Sequence, residues 1–559
     1  MNKNIRITWP AWLWINTTSD IIWNIISDLW YSVLTDIEYE SRIKWWVNYF
    51  DINFSDKIPY ISNRVDILLV FSLESLIKNI DFLKKWASIF LSFKIKEKIK
   101  EDILSKLNKN NINLIYIDIN DKYDNTYLLW LLSCFLDIPF SIVESNLKEV
   151  FLKKWKEIFN YNLDIIKDIR QKYSNIVWNF SLKRIWDKKN FIYWNKAIAY
   201  GAINSKLEYY SAYPMTPAST ILTEIINSKK VKYLQAEDEL AVINSALWAS
   251  YCWFRSMCAS SWWWFALMSE ALSFAIQAEF PITVVLSQRA WPSTWTPTYH
   301  EAGDLNFALN PTFWDFDHIV LYPSSVDEAY YFWWLALNLA DKYQTIVLIL
   351  LDKQLSEIFA TTDELISPKI DRWIILDKPP QDYKRYEITQ SWVSPRVMVW
   401  TKWGDFISTS YEHDEYGATT EDPEMKKLMT QKRFKKLENF YKKEWFSWYE
   451  IINSKAQKMF ITTSATSYTL RAFIENNKEF WLIIIKIIKP LDERLLDEIK
   501  SKKELIFVEN NYSWQLENYI TKEFGLKYID WLNISNFRKY DLFPFYYEEF
   551  ENRYINNNK

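Results

Sequence analysis

Five glycines are too few to make the turns of a folded chain of 559 residues. Glycine is normally about 7% of a protein, roughly 40 residues at this length. It supplies backbone conformations that other residues reach only at a steric cost. Tryptophan shows the opposite excess, with 32 residues, and 5 + 32 = 37 restores an ordinary glycine content. Position agrees with number. Trp9, Trp12 and Trp14 follow the apolar run 5–7 in "ITWPAWLWI", and Trp291 and Trp295 flank Pro-Ser-Thr in "QRAWPSTWTPT". Trp392 lies in "QSWVSPR", Trp514 follows "NNYS", and three tryptophans stand together in "ASSWWWFALM" (259–268) before a helix-like run. These are turn and loop settings, where chains use glycine. Most of the 32 are therefore read as glycine. That pattern arises when UGA codons decoded as glycine in the cell are translated with a table that assigns them to tryptophan. The competing reading is a Trp-rich binder of saccharides or aromatic ligands, with "WWW" as an exposed binding face. If literal indoles fill this loop, they should crowd space meant for a ligand or partner chain.

The remaining composition excludes some classes of function. Lys+Arg is 67 and Asp+Glu is 70, a net charge of -3. That balance argues against nucleic-acid or membrane-surface binding driven by bulk charge. No apolar run reaches the roughly 18 residues of a membrane span. The first residues do not pattern as a signal peptide, so a soluble, cytoplasmic protein is expected. Cys134, Cys252 and Cys258 show no CxxC spacing and cannot alone hold a four-cysteine cluster. No metal site is expected on the chain itself.

The pattern is α/β throughout. Residues 1–190 alternate apolar strands such as "IRIT", "VDILLVFS", "ASIFLSF" and "INLIYID" with amphipathic stretches such as "DIIWNIISDLW". Such alternation suggests βαβ units on a parallel sheet. A second αβ segment, 191–365, has candidate strands "MCASS", "ITVVLS", "HIVLYP" and "TIVLILL". Residues 366–454 read as long ordered loops leading into the helix "PEMKKLMTQKRFKKLENFYKK". Residues 455–559 return to αβ with "KMFITTS", "WLIIIKII" and "ELIFVENN".

With glycine restored, "YPMTPAS" (213–219), "AEDELAVINSALWAS" (236–250), "SSWWWFALMSEAL" (260–272) and "QRAWPSTWTPT" (288–298) resemble one family, the α subunits of 2-oxoacid:ferredoxin oxidoreductases. So do "SPRVMVWTKWGDF…EHDEYGATTEDPE" (394–424) and "VENNYSWQL" (508–516), while "ITWPAWLWI" and "SRIKWWVN" (41–48) resemble the family's γ domain fused ahead. The resemblance implies a Rossmann-like γ domain (1–190), a pyrimidine-type thiamine-diphosphate-binding α/β domain (191–365), the loop region (366–454) and a transketolase-C-like α/β domain (455–559). It implies oxidative decarboxylation of a 2-oxoacid, with 2-oxoglutarate foremost and pyruvate, branched-chain or aryl acids as alternatives. The acyl group would pass to coenzyme A and the electrons to ferredoxin. A β subunit would hold the diphosphate, Mg²⁺ and an iron–sulfur cluster, in an α₂β₂ assembly. The chain has no GDG-type diphosphate motif, which fits that division.

The resemblance also points to residues. Glu239 is the candidate carboxylate for N1′ of the aminopyrimidine, a contact that favours the tautomer able to take the C2 proton. Trp248 stands nine positions on, where the family has a glycine for close helix packing. Alone, "EDE" reads as the acidic first turn of a helix. Thr216 is held between Pro214 and Pro217 and, with Tyr213, is implied to lie at substrate and cofactor; alone, the stretch is a turn. Arg289 after "ITVVLSQ" is the candidate for the substrate carboxylate, against a structural ion pair. Ser261, Trp262, Trp263 and Trp264 are implied to approach the cofactor through their backbone, with Ser260 and Ser261 as helix caps. The family has Gly-Pro-Gly here, so position 263 departs from it. Gly201 is read where helix and strand approach. His413 in "EHDEYG" reads as a loop-ordering hydrogen bonder, with a metal site as the lesser alternative. The cysteines read as small buried apolar residues.

Overall fold

A computed structural model describes residues 2–10, 16–29, 31–38, 47–117, 124–152, 156–173, 182, 190–292, 296, 298–313, 315–362, 365–443 and 448–556. Trp12, Trp14, Trp295 and the stretch 41–46 lie outside the described residues. The chain forms two compact units. One comprises Met1–Ile192, Ile358–Glu364 and Phe545–Lys559; the other comprises Tyr193–Glu357 and Leu365–Pro544.

The first unit is built on an eight-stranded sheet. Its order is Asn113–Ile117, Leu83–Ser92, Val65–Val70, Lys3–Pro10, Val47–Ser55, Ser32–Glu38, Phe359–Thr362 and Asn190–Tyr193. The four strands read from apolar runs pair in parallel, as expected. The next strands pair antiparallel, so the sheet is mixed rather than wholly parallel. Sequence reading missed this half because its strands bury polar residues: Thr35, Asp36, Asp51 and Asn53 are at most 1% exposed. Arg6, inside "IRIT", is buried and grips Asp51 on the neighbouring strand through Nε–Oδ1 (2.7 Å) and Nη2–Oδ2 (2.6 Å). Breaking such a pair would leave a buried charge unmatched. Trp9 is not in a turn after the first strand. It is a buried strand residue opposite Asn48.

The second unit holds a seven-stranded sheet in the order Ile487–Lys489, Ile319–Leu321, Ile346–Leu351, Ile282–Ser287, Ser256–Ser261, Tyr209–Ala212 and Lys232–Gln235. All pairs are parallel except the first. The four strands read from the sequence all form. Their near-continuous apolar runs suit strands covered on both faces. The edge strand Lys232–Gln235, exposed along its length, gave no such signal. A five-stranded sheet contains Lys458–Thr462, Phe480–Ile485 and Glu504–Glu509, the three strands expected there. Both sheets share one apolar core, in which Val284, Leu348, Ile461 and Phe507 are fully buried. Between them the stretch from 366 runs as turns until the helix Pro423–Lys443. Gly201 lies in the helix Trp194–Asn204, and a Cβ there would strike the Tyr330 carbonyl. Its close approach is therefore helix to helix, not helix to strand.

Candidate active site

In parallel α/β sheets, ligands gather beyond the carboxyl ends of the strands. Three adjacent strands deliver the expected site residues to that edge. Tyr209–Ala212 leads into Tyr213–Pro217, Ser256–Ser261 into the tryptophan triplet, and Ile282–Ser287 into Arg289.

Glu239 opens the helix Glu239–Tyr251, but it does not cap it. Asp238 does, accepting the Ala241 amide at 2.7 Å. Glu239 is free to turn inward, where it is 2% exposed, while Glu237 faces solvent. Ser260 Oγ donates to its Oε1 at 3.4 Å. Burial raises the Glu239 pKa above the usual carboxylate range, with its own backbone and Ser260 opposing. An acid of the helix's first turn would sit in water, so a desolvated carboxyl beside a hydroxyl needs another explanation. Trp248, nine residues on, is 70% exposed and stacks on Tyr251. No packing within the described chain requires a small residue there.

Arg289 is 7% exposed. Its Nη1 donates to the Thr216 carbonyl at 2.8 Å, its Nη2 contacts Met215 Sδ at 3.8 Å, and its Nε is buried without a partner. Among the described residues no carboxylate pairs with it directly. Burial draws its pKa down to about 10, with Asp304 opposing. An unmatched buried guanidinium is suited to an arriving carboxylate. The structure thus joins Arg289 to Thr216, through the threonine's backbone. Thr216 is partly buried, and Tyr213 and Pro214 are exposed.

The expected serine caps are absent. Ser260 is engaged with Glu239, and Ser261 Oγ ties its strand to the next through the Ser287 carbonyl at 2.7 Å. The tryptophan loop is crowded, as expected of literal indoles. Trp262 and Trp263 stack with centroids 3.7 Å apart, Trp291 lies 5.6 Å from Trp262, and the Arg289 guanidinium sits 5.4 Å from the Trp262 ring. Trp263 is 49% exposed.

Two acids near Arg289 escaped sequence reading. Asp304 is pushed up to about 7 by burial and by Glu301, with Arg289 opposing, and its Oδ2 has no hydrogen-bond partner. Glu301 is raised by burial and accepts the Trp291 amide at 2.9 Å. The available signal was the pair of acids in "HEAGD", directly after the arginine motif.

His413 is fully buried. Its Nδ1 faces the Asp414 carbonyl (3.0 Å), its Nε2 the Gln277 carbonyl (3.3 Å), and its ring packs on Tyr386. It orders the loop, and among the described residues no three His, Cys, Asp or Glu side chains gather as a metal site. Of the cysteines, only Cys258 is fully buried.

Residues 200–431 match the family model described as pyruvate flavodoxin/ferredoxin oxidoreductase, thiamine diphosphate-binding. The chain is 31% identical over 330 residues to a 2-oxoglutarate synthase subunit KorA of Methanocaldococcus jannaschii, covering 57% of this chain and 88% of that protein. The chain belongs to the 2-oxoacid:ferredoxin oxidoreductase α subunits. A relative from Sulfolobus with that name is 28% identical over 574 residues, covering 89% of this chain and 88% of its own. A solved 2-oxoglutarate:ferredoxin oxidoreductase from Magnetococcus marinus superposes with a TM-score of 0.89 at 25% identity, over the whole of both chains. The protein is thus one subunit of a multi-subunit oxidoreductase. No helix among the described residues is long and apolar enough to cross a membrane.

Proposed function

We propose that the protein takes part, with a β subunit, in the oxidative decarboxylation of 2-oxoglutarate. In that reaction a 2-oxoacid anion and the thiol of coenzyme A give an acyl thioester, carbon dioxide and one proton, and two electrons pass to ferredoxin. The M. marinus structure, which carries 2-oxoglutarate, coenzyme A and succinyl-CoA, supports this choice of acid. The cytoplasm is the proposed compartment, and α₂β₂ the proposed assembly.

The observation that carries the reading is Glu239: a buried carboxyl at a helix start, met by a long bond from Ser260, with its pKa raised. That donor set fits the aminopyrimidine of thiamine diphosphate. When bound, the cofactor supplies a carbon nucleophile and an electron sink for decarboxylation. Glu239 would hold a proton at N1′, and Ser260 would keep the carboxyl aimed. Arg289 would bind the substrate carboxylate, anchored by the Thr216 carbonyl. Tyr213, Pro214, Thr216 and the backbone of 261–264 would wall the pocket. Residues 1–190 would serve as the γ domain, 191–365 as the pyrimidine domain and 455–559 as the transketolase-like domain, with 366–454 as the loops between, except that 358–364 and 545–559 join the compact unit of the γ domain. Mg²⁺ and the iron–sulfur cluster belong to the β subunit.

The test is acceptor reduction by the purified complex with coenzyme A and each of several 2-oxoacids. Reduction of ferredoxin with 2-oxoglutarate is expected. Activity with pyruvate or a branched-chain acid but not 2-oxoglutarate would overturn the substrate, and silence with every 2-oxoacid would overturn the reaction.

A further inference from the structure

We propose that positions 86, 253, 262, 373, 392, 400, 403 and 514 are glycine in the working protein, although tryptophan is written at each. All eight have φ between 53° and 70°. Among the described residues 17 non-glycine positions have positive φ, and eight of them are tryptophan; tryptophan is 32 of 559 residues in the chain. A Cβ in this region crowds the following carbonyl oxygen, so a bulky residue there is an outlier. Eight such outliers of a single residue type are not scattered strain.

The local geometry argues independently. After the helix Glu239–Tyr251, the Trp253 amide donates to the Ser250 carbonyl (2.8 Å) and the Phe254 amide to the Ala249 carbonyl (3.0 Å). That is a Schellman ending, with Trp253 in the position that glycine usually fills. The Thr401 amide donates to the Met398 carbonyl (3.1 Å), and the Gly404 amide to the Thr401 carbonyl (2.9 Å). Trp400 and Trp403 are the third residues of these two consecutive turns. With positive φ at that place alone, each is a type II turn, whose third residue is glycine or asparagine. Trp86 lies in the irregular stretch where the register between Leu83–Ser92 and Val65–Val70 shifts.

Several of these indoles are poorly accommodated. Trp400 is 97% exposed. Trp253 and Trp373 bury ring N–H groups without partners, although a buried indole N–H usually finds one. The Arg385 and Arg396 guanidiniums lie 4.8 and 4.6 Å from the Trp253 ring, and each keeps at least one N–H unpartnered. Loop geometry, orphaned donors and composition converge on one substitution. At 262 the same change clears the stacked rings from above Arg289, and glycine at 263, 264 and 291 would complete the opening. This last part rests on the cofactor reading given above.

Peptide mass spectrometry of the chain purified from its own cells decides the assignment. Glycine is expected at 253, 400 and 403, and tryptophan at any of these three would overturn it. A second measurement addresses the cleft separately. A recombinant αβ complex carrying Trp262→Gly, Trp263→Gly, Trp264→Gly and Trp291→Gly should bind thiamine diphosphate at least roughly tenfold tighter by calorimetry than the complex with tryptophan at all four. Equal affinity would overturn the opening of the cleft. Because peptide sequencing reads residue identity alone, a failure of the cofactor reading stays distinguishable from a failure of the glycine assignment.

Discussion

Replacing Glu239 by glutamine separates chemistry from architecture at one atom. The two side chains match in size, so the pocket that leaves Glu239 2% exposed keeps its packing. Among the described residues the side chain that meets this carboxyl is Ser260, whose Oγ donates to it at 3.4 Å, and an amide oxygen accepts that bond equally well. Burial already disfavours the charged carboxylate, which is why its pKa is raised. A neutral amide escapes that penalty, so Glu239→Gln leaves stability unchanged or slightly higher. What the amide cannot do is exchange a proton at N1′. Proton transfer by a positioned group contributes about 10²–10⁴-fold in rate, which corresponds to about 3–5 kcal/mol of barrier at 1.36 kcal/mol per tenfold. The assay is 2-oxoacid-dependent acceptor reduction by the intact complex, with the melting temperature and the α:β ratio measured on the same preparation. Activity should fall at least about 100-fold while both structural readouts hold. Glu237→Gln, on an exposed neighbour, should change neither. Glu239→Gln with more than a tenth of the parent rate would refute the reasoning, as would a loss of activity matched by loss of the complex.

Other perturbations follow from the same contacts. Arg289→Lys cannot reproduce the planar fork, and losing a charged hydrogen bond costs about 1.5–3 kcal/mol; KM for the 2-oxoacid should rise about 10- to 100-fold with a smaller change in kcat, and the reverse split would refute substrate binding by this residue. Asp304, pushed up from an ordinary 3.8 to about 7, keeps a proton in the folded state that the unfolded chain has already lost. Stability should therefore decline as pH rises through the window from about 4 to about 7, by up to about 4 kcal/mol at 1.36 kcal/mol per unit. Urea titrations across that window should show the decline flattened in Asp304→Asn, and an unchanged slope would refute the assignment. In recombinant protein carrying tryptophan, Trp400→Gly should stabilise, because a 97% exposed ring gives up no burial. Relief of about 1–2 kcal/mol of left-handed strain exceeds the roughly 0.4–1 kcal/mol lost to a freer unfolded chain. Trp400→Ala, which keeps a Cβ, should not stabilise, and calorimetry giving the two the same melting point would refute the strain argument.

The parts of the fold legible in the sequence are those that burial writes as apolar runs. "VDILLV", "ITVVLS", "IVLILL" and "ELIFVE" are strands because parallel strands covered on both faces admit little else. The antiparallel half of the first sheet stayed hidden because Ser32–Glu38 and Val47–Ser55 bury polar side chains such as Thr35, Asp36, Asp51 and Asn53 among their apolar ones, which a hydropathy pattern registers as loop. At the site, the acidic stretch "EDE" was legible as a helix start but not as a division of labour. Only the backbone of Asp238, extended at φ -158°, shows that it takes the cap and leaves Glu239 to face inward. The Arg289 contact with Thr216 runs through a main-chain oxygen, so no residue type at 216 encodes it.

The glycine deficit differs in kind, because it was legible as a count before any element was assigned. Turn signals depend on glycine more than on any other residue. A chain with five glycines should therefore be hard to segment, yet its elements close with the geometry of a glycine-containing protein. The helix ending at Trp253 keeps the Schellman bonds, the turns at Trp400 and Trp403 keep their i to i+3 bonds, and the strand–loop junction at Trp262 keeps its left-handed step. The apolar patterning and the residues around these turns suit such backbones whichever residue stands at the left-handed position. The misfit of the indoles differs from place to place. At exposed turns an indole swings into water, as Trp400 does. Around the Ser260–Arg289 edge, where the cofactor is proposed to bind, the rings of Trp262, Trp263, Trp264 and Trp291 crowd against one another and Arg289. Crowding at this edge is the result expected when indoles stand where the proposed cleft calls for glycine.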